Sequence, residues 1–231
     1  MAILGVAAPS ARSDWLLEWA GPSIALAIVL FSIVSAVVLG HERAGFLYRE
    51  DGPVEIATFV VMLVLVPLYT AWMARLHLTS AVPALIAFLM GWRELDGDRW
   101  FTNKSVISTG YYFDNPGVAY GERIFVGAIM ALIGLAILRF FWRARFSILG
   151  ALHDFRPYCR SVIAGFVMLG ASLTLDGLGR KLRMLGIHLS EAGSTMGKTI
   201  EEAAELGLAI TFLIALLQLR FDPTRNALPN R

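Results

Sequence analysis

From Pro22 to Gly40 the chain is almost unbroken isoleucine, leucine, valine and alanine, and apolar stretches of similar length recur at 53–74, 76–92, 124–142, 160–178 and 199–219. A helix needs about 20 apolar residues to cross the hydrocarbon of a bilayer. The pattern therefore predicts an all-α, polytopic transmembrane helical bundle of about six spans, with residues 1–231 forming a single integral membrane domain.

The polar positions between these runs predict how the helices start and stop. In Asp14-Trp15-Leu16-Leu17-Glu18-Trp19 the tryptophans and the acids each recur after four residues, which predicts a short interfacial helix leading into the first span. Asp51 or Gly52 is placed to cap span two, with Pro53 and Glu55 in its first turn and Pro67 as a kink. Span three is the shortest, so its end at Arg93 and Glu94 is drawn close to the hydrocarbon edge. It runs into the charged block Trp92-Arg93-Glu94-Leu95-Asp96-Gly97-Asp98-Arg99-Trp100, then into a loop carrying Phe101, Tyr111, Tyr112, Phe113 and Tyr120. Aromatic residues of this kind favour the membrane–water interface. Small residues form two seams for close helix approach, Gly127, Ala131 and Gly134 on span four, and Ala203, Gly207, Thr211 and Ala215 on span six. Thr199-x-x-Glu202 matches a capping box and so marks the start of span six.

Composition supports the membrane assignment. Hydrophobic residues make up 57% of the chain, charged residues 16%, and the mean hydropathy is +0.64, whereas a soluble domain is about a quarter charged. The net charge of +2 is spread over single and paired bases rather than one basic face, so no nucleic-acid partner is expected. Cys159 is the single cysteine, which excludes an intramolecular disulfide or a thiolate metal cage. Before the first apolar run Arg12 is offset by Asp14 and Glu18, so that run reads as a retained span rather than a cleaved signal.

Alternating spans sort the charges. The side holding both termini carries ten Lys/Arg and four acids, and the other side carries ten Lys/Arg and fourteen acids. Orientation follows Lys and Arg alone, and these tie. The largest basic cluster, Arg139, Arg143, Arg145, Arg156 and Arg160 in the loop between spans four and five, favours both termini in the cytoplasm. The acids are more informative, because Glu55, Glu122, Glu201, Glu202 and Glu205 at span starts and Glu94 and Asp176 at span ends all fall in the same leaflet when the spans alternate. Carboxylates near hydrocarbon are costly and face a partner or a wet cavity.

The expected feature is therefore a carboxylate-lined polar chamber in one leaflet, built from Glu55, Glu94, Asp176, Glu201, Glu202 and Glu205. The last three share one helical face within about a 100° arc. Such a set could share protons, hold cations or bind a divalent metal, for which Glu94, Glu202, Glu205 and His188 are the candidate ligands. The competing structural reading makes Glu202 the capping-box acid and pairs Asp176 with Arg180 across one helical turn.

Family motifs narrow this further. Glu201-Glu202 at a span start is similar to the CAAX-protease-like intramembrane peptidases, but their EExxxR pattern requires arginine at position 206, where Leu206 stands. The HxxxH pairing of alkaline-ceramidase-like proteins is also absent. Arg49-Glu50-Asp51-Gly52-Pro53-Val54-Glu55, Arg93-Glu94-Leu95-Asp96 and Glu201-Glu202-x-x-Glu205 resemble a pattern in uncharacterised polytopic bacterial inner-membrane proteins, a resemblance that implies no activity. The sequence is read as a non-enzymatic accessory, assembly or lipid-interacting component. Its partners would be the lipid bilayer and, through the small-residue seams, other membrane proteins. Two alternatives stay open: a metal-dependent membrane enzyme acting on a lipid-linked substrate, and a cation- or proton-coupled transporter.

Overall fold

The computed structural model describes residues 11–49, 51–74, 81–95, 105–106, 109–113 and 117–221. Among them there are eight helices and no strands: α1 (Ala11–Leu47), α2 (Pro53–Ala74), α3 (Ala81–Glu94), α4 (Thr109–Phe113), α5 (Tyr120–His153), α6 (Pro157–Leu175), α7 (Leu178–Met184) and α8 (Glu191–Phe221). The fold class is all-α, as the periodicity predicts. Four helices, α1, α2, α5 and α6, are long and apolar enough to cross a membrane. The stretches 75–80 and 96–104, including His77 and the Asp96 to Trp100 half of the charged block, lie outside the described residues.

Several boundaries differ from the sequence reading, each for a local reason. The interfacial segment and span one are continuous, and His41, Glu42 and Arg43 continue as helix after a break at Gly40, whose φ of 75° suits glycine. Arg139, Arg143 and Arg145 belong to α5, not to a loop, because nothing before Asp154 breaks the helix. Asp176 lies one residue past α6, at its C-cap. The largest shift is in α8, which begins at Glu191, eight residues before Thr199. Its cap is Ser190, whose Oγ accepts the Gly193 N–H at 3.1 Å. Thr199 and Glu202 are therefore interior residues with satisfied backbone, and the capping-box reading fails.

The chain forms two compact units, residues 1–45 with 154–231 and residues 46–153. In the first, α6 and α8 pack antiparallel. Ser161 Oγ donates to Gln218 Oε1 at 2.7 Å near one end, and Ser172 Oγ donates to Glu205 Oε1 at 2.7 Å near the other. Between them a Cβ on Gly165 would stand 2.7 Å from the Phe212 ring, and one on Gly207 would touch Met168 at 3.5 Å. The seam predicted on span six is real: Ala203, Gly207, Thr211 and Ala215 are all buried. Helix α1 joins this pair closely. Gln218 Nε2 donates to the Leu17 carbonyl at 2.6 Å, Arg160 pairs with Glu18 at 2.9 Å, and the Arg160 guanidinium lies between the Trp19 and Phe155 rings.

In the second unit α2 and α3 form a hairpin. Ala84, Ala87, Gly91 and Glu94 make one buried stripe on α3, while Thr58, Met62 and Leu65 are buried on α2. A Cβ on Gly91 would stand 3.2 Å from Met62. The sequence prediction for the start of α2 holds: Gly52 precedes it, its carbonyl accepts the Ile56 N–H, and Pro53 is the first helical residue. Helix α5 carries a small-residue seam that the unit leaves open, since Gly127 meets only the Tyr112 ring and nothing lies within 4 Å of a Cβ on Gly134.

The tightest helix crossing generates a test. A methyl on Gly21 would fall 2.5 Å from Ser161 Cβ and 2.9 Å from its Cα, so backbone must move. Gly21→Ala is expected to destabilise the purified protein by about 1–3 kcal/mol, read as a lowered thermal midpoint. An unchanged midpoint would mean that α1 and α6 do not cross there.

Candidate functional site

The candidate site is the glutamate face of α8. Five consecutive residues, from Glu201 to Glu205, are buried, so that helix is covered on every side at this level. Glu201 is 7% exposed, Glu202 3% and Glu205 9%. A carboxylate taken out of water needs a counter-charge and hydrogen bonds, or it will not stay ionised.

The surroundings supply these. Lys198, one turn earlier, places Nζ 3.0 Å from Glu202 Oε1 and 3.4 Å from Glu201 Oε1. From α6, the Ser172 hydroxyl is fully buried and donates to Glu205. Lys198, Glu205 and Asp176 are the charged groups that act on Glu201. Four of the six expected chamber residues, Asp176, Glu201, Glu202 and Glu205, are thus gathered in one unit. Asp176 stands at its exposed edge, where its N–H donates to the Ser172 carbonyl. The expected ion pair between Asp176 and Arg180 does not form; the Arg180 guanidinium lies against Gly177 instead.

Beneath the glutamates Thr199 is fully buried, and among the described residues no group takes its hydroxyl hydrogen bond. It is on the face of Glu202, one turn before it. The sequence pattern assigns this residue to a helix cap, and the signal that corrects it is Ser190 followed by Gly193, an earlier capping pattern.

The other two expected members, Glu55 and Glu94, are in the second unit. Gly91 packs on Phe59 and Met62 in an antiparallel hairpin, so Glu94, one turn on, is level with about Ala57 to Phe59, short of Glu55 in the first turn of α2. Glu94 is buried, as the last member of the α3 stripe Ala84, Ala87 and Gly91. Glu55 has local work: its carboxylate accepts the backbone N–H of Asp51, which sits at φ 64°. The candidate ligand His188 is exposed, in the connection between α7 and α8. Among the described residues no three His, Cys, Asp or Glu side chains are grouped so as to hold a metal ion.

A further acid has a role that its position at a helix start did not reveal. Glu122 Oε1 accepts the Tyr111 hydroxyl at 3.2 Å, and Arg123 binds the carbonyls of Tyr112 and Val118, tying the short α4 to the start of α5. Burial pushes the Tyr111 phenol above its ordinary 10.0, and the Glu122 carboxylate adds to the shift.

Comparison of the chain with protein-family models, with curated proteins and with solved structures finds no match.

Two outcomes are expected. Lys198→Met should lower unfolding stability by about 1–3 kcal/mol, and adding Glu202→Gln should restore most of that loss, because a neutral side chain no longer needs the ammonium. A double variant no more stable than Lys198→Met would remove the counter-ion role. For Tyr111 the folded chain favours the neutral phenol, so its contribution is complete below 10.0, the ordinary value, and is lost as pH rises through its own higher value. Denaturation followed against pH should show this alkaline loss in the wild type and a flatter profile in Tyr111→Phe.

Proposed function

We propose that the chain is a multi-pass protein of a bacterial inner membrane, with both termini in the cytoplasm, that acts as a non-enzymatic component assembling with other membrane proteins. The observation that carries the reading is the contrast between α8 and α5. Helix α8 is wrapped by its own chain. Helix α5 is long enough to cross a membrane, yet none of its most apolar 18-residue window is buried. Leu132, Leu135 and Leu138 are exposed, and so are Ala131 and Gly134 on the small-residue seam.

In lipid a leucine surface has no hydrophobic reason to associate, whereas a Gly/Ala seam lets two backbones approach closely and gain dispersion energy. An uncovered seam on a spanning helix therefore fits a component whose partner is another transmembrane helix. The basic group Arg139, Arg143 and Arg145 in the last turns of α5, with Arg156 and Arg160 after it, supports a cytoplasmic placement of that end. For the metal-enzyme alternative, no three-residue His/Cys/Asp/Glu group stands together among the described residues. The cation-coupled alternative is favoured by one feature, the buried glutamates of α8.

The test is disulfide cross-linking in native membranes, with cysteine at position 134 in a Cys159→Ser background. A discrete cross-linked species that disappears when the cysteine is moved to the opposite face of α5, at position 132, is expected. Equal, diffuse labelling from both positions would mean lipid on all sides and would overturn the assembly reading. Gly134→Leu in the purified chain should change stability by less than about 0.5 kcal/mol, since its surroundings are open.

A further inference from the structure

The connection between α6 and α8 carries a surface that its own unit leaves open. From Gly177 to Ser190 the chain holds Arg180, Lys181, Arg183 and His188 and no acid. Arg180, Lys181 and Arg183 are exposed, and among the described residues none of them forms an ion pair. The flanking acids Asp176 and Glu191 are exposed as well and pair with none of the three. The bases are held by neutral carbonyls instead. Lys181 Nζ donates to those of Leu173 and Thr174 at 3.2 and 3.3 Å, and Arg183 Nε to that of Gly179 at 3.2 Å. These bonds position the side chains without neutralising them.

The same segment exposes apolar side chains. Met184 and Leu185 are each 75% exposed and Ile187 is 51% exposed. On α7 the half-buried Leu178 and Leu182 share one face, and Leu178 would meet a Cβ on Gly197 of α8 at 3.7 Å. Met184 stands one turn beyond Arg180 and Lys181, away from that leucine face, so bases and an apolar side chain are presented together. Lys181 fixes the height of this surface. The carbonyls it binds belong to the last turn of α6, a helix long and apolar enough to cross a membrane. Helix α7 therefore lies where a spanning helix leaves the hydrocarbon. An exposed apolar patch with a basic rim at that level matches the boundary between headgroups and acyl chains.

We propose that α7 and the turn after it bind anionic phospholipid at the bilayer surface, with Met184, Leu185 and Ile187 entering the acyl boundary while Arg180, Lys181 and Arg183 engage headgroup phosphates. A guanidinium pairs with phosphate through two parallel N–H donors, and a lysine supplies a point charge. Charge complementarity selects the occupant. An anionic headgroup answers the three bases, and a lipid brings that anion already attached to the hydrocarbon that the exposed side chains require. A free phosphate would leave the apolar patch in water. The patch is also preformed: the Leu185 and Ile187 N–H groups both donate to the Leu182 carbonyl at 2.9 Å, and the Gly186 N–H donates to that of Arg183 at 3.0 Å. Little ordering cost is then left for binding. The site rests on α6 crossing the bilayer and is independent of the α5 assembly reading.

The experiment uses the full chain in nanodiscs of phosphatidylcholine with increasing phosphatidylglycerol, followed by thermal unfolding. The midpoint is expected to rise and saturate with phosphatidylglycerol, and the response should shrink in about 0.5 M salt. Arg180→Gln combined with Arg183→Gln should weaken the apparent affinity for phosphatidylglycerol about tenfold or more, while Arg180→Lys with Arg183→Lys should retain most of it. Neutralising the exposed Arg139 and Arg143 of α5 removes the same net charge. An equal loss there would assign the effect to overall charge and overturn the local site. For the apolar half, Leu185→Cys in a Cys159→Ser background carries a solvatochromic dye. Its emission should report a water-poor site and be quenched by spin-labelled lipid rather than by aqueous iodide. Quenching by iodide alone would leave this face to an acidic protein partner and overturn the lipid proposal, as would equal midpoints at every phosphatidylglycerol content. Should the glutamine double variant not fold, the lipid series on the wild type and the lysine double variant still decides.

Discussion

The structure of the first unit depends on burying three glutamates along one turn and a half of α8. That is possible only because α8 can lie very close to α6. Gly165 leaves room for the Phe212 ring, Gly207 admits Met168, and the antiparallel register that follows sets Ser172 opposite Glu205. A larger residue at either glycine would push the helices apart and separate that hydroxyl from its carboxylate. The small-residue seam and the acidic face are thus one device: close backbone approach provides the hydrogen bond that a buried carboxylate needs.

The same constraint explains how the helix termini are arranged. Because α8 must carry its glutamates in mid-helix, its unsatisfied N–H groups are met farther back, by Ser190. The preceding connection closes compactly. Gly186, at φ 77°, lets the Ile187 N–H reach the Leu182 carbonyl and its own N–H reach that of Arg183. These bonds satisfy the end of α7. At the opposite end of the pair Arg160 fastens α6 to α1 through Glu18 and two aromatic rings. Polar contacts therefore stand at both ends of the packed helices, with small and apolar residues between them.

The second unit handles its acids differently. Glu55 and Glu122 are each engaged near a helix start, by the Asp51 N–H and by the Tyr111 hydroxyl. Among the described acids of this unit Glu94 alone is enclosed, because it continues the stripe Ala84, Ala87, Gly91 that packs against α2. The acids that the linear pattern assigns to one leaflet are thus not equivalent. Their roles divide by what the neighbouring element offers.

The helical class, the apolar character of the long runs and the span-six seam were legible in the chain because periodicity, hydropathy and residue size are local properties. Pro53 after Gly52 marked the start of α2 for the same reason. Other features were decided only in three dimensions. The pattern Thr199-x-x-Glu202 is chemically competent as a cap, and nothing within those four residues tells that helix already precedes them. The continuity of α5 through Arg139, Arg143 and Arg145 was hidden in the same way, because charge marks the end of an apolar run and not the end of a helix. Whether a glutamate faces water or the inside depends on the register and closeness of a second helix many residues away. The sequence by itself determined that carboxylates would stand at the ends of apolar helices; only the packing of α6 on α8 decided that Glu201, Glu202 and Glu205 would be enclosed beside one lysine.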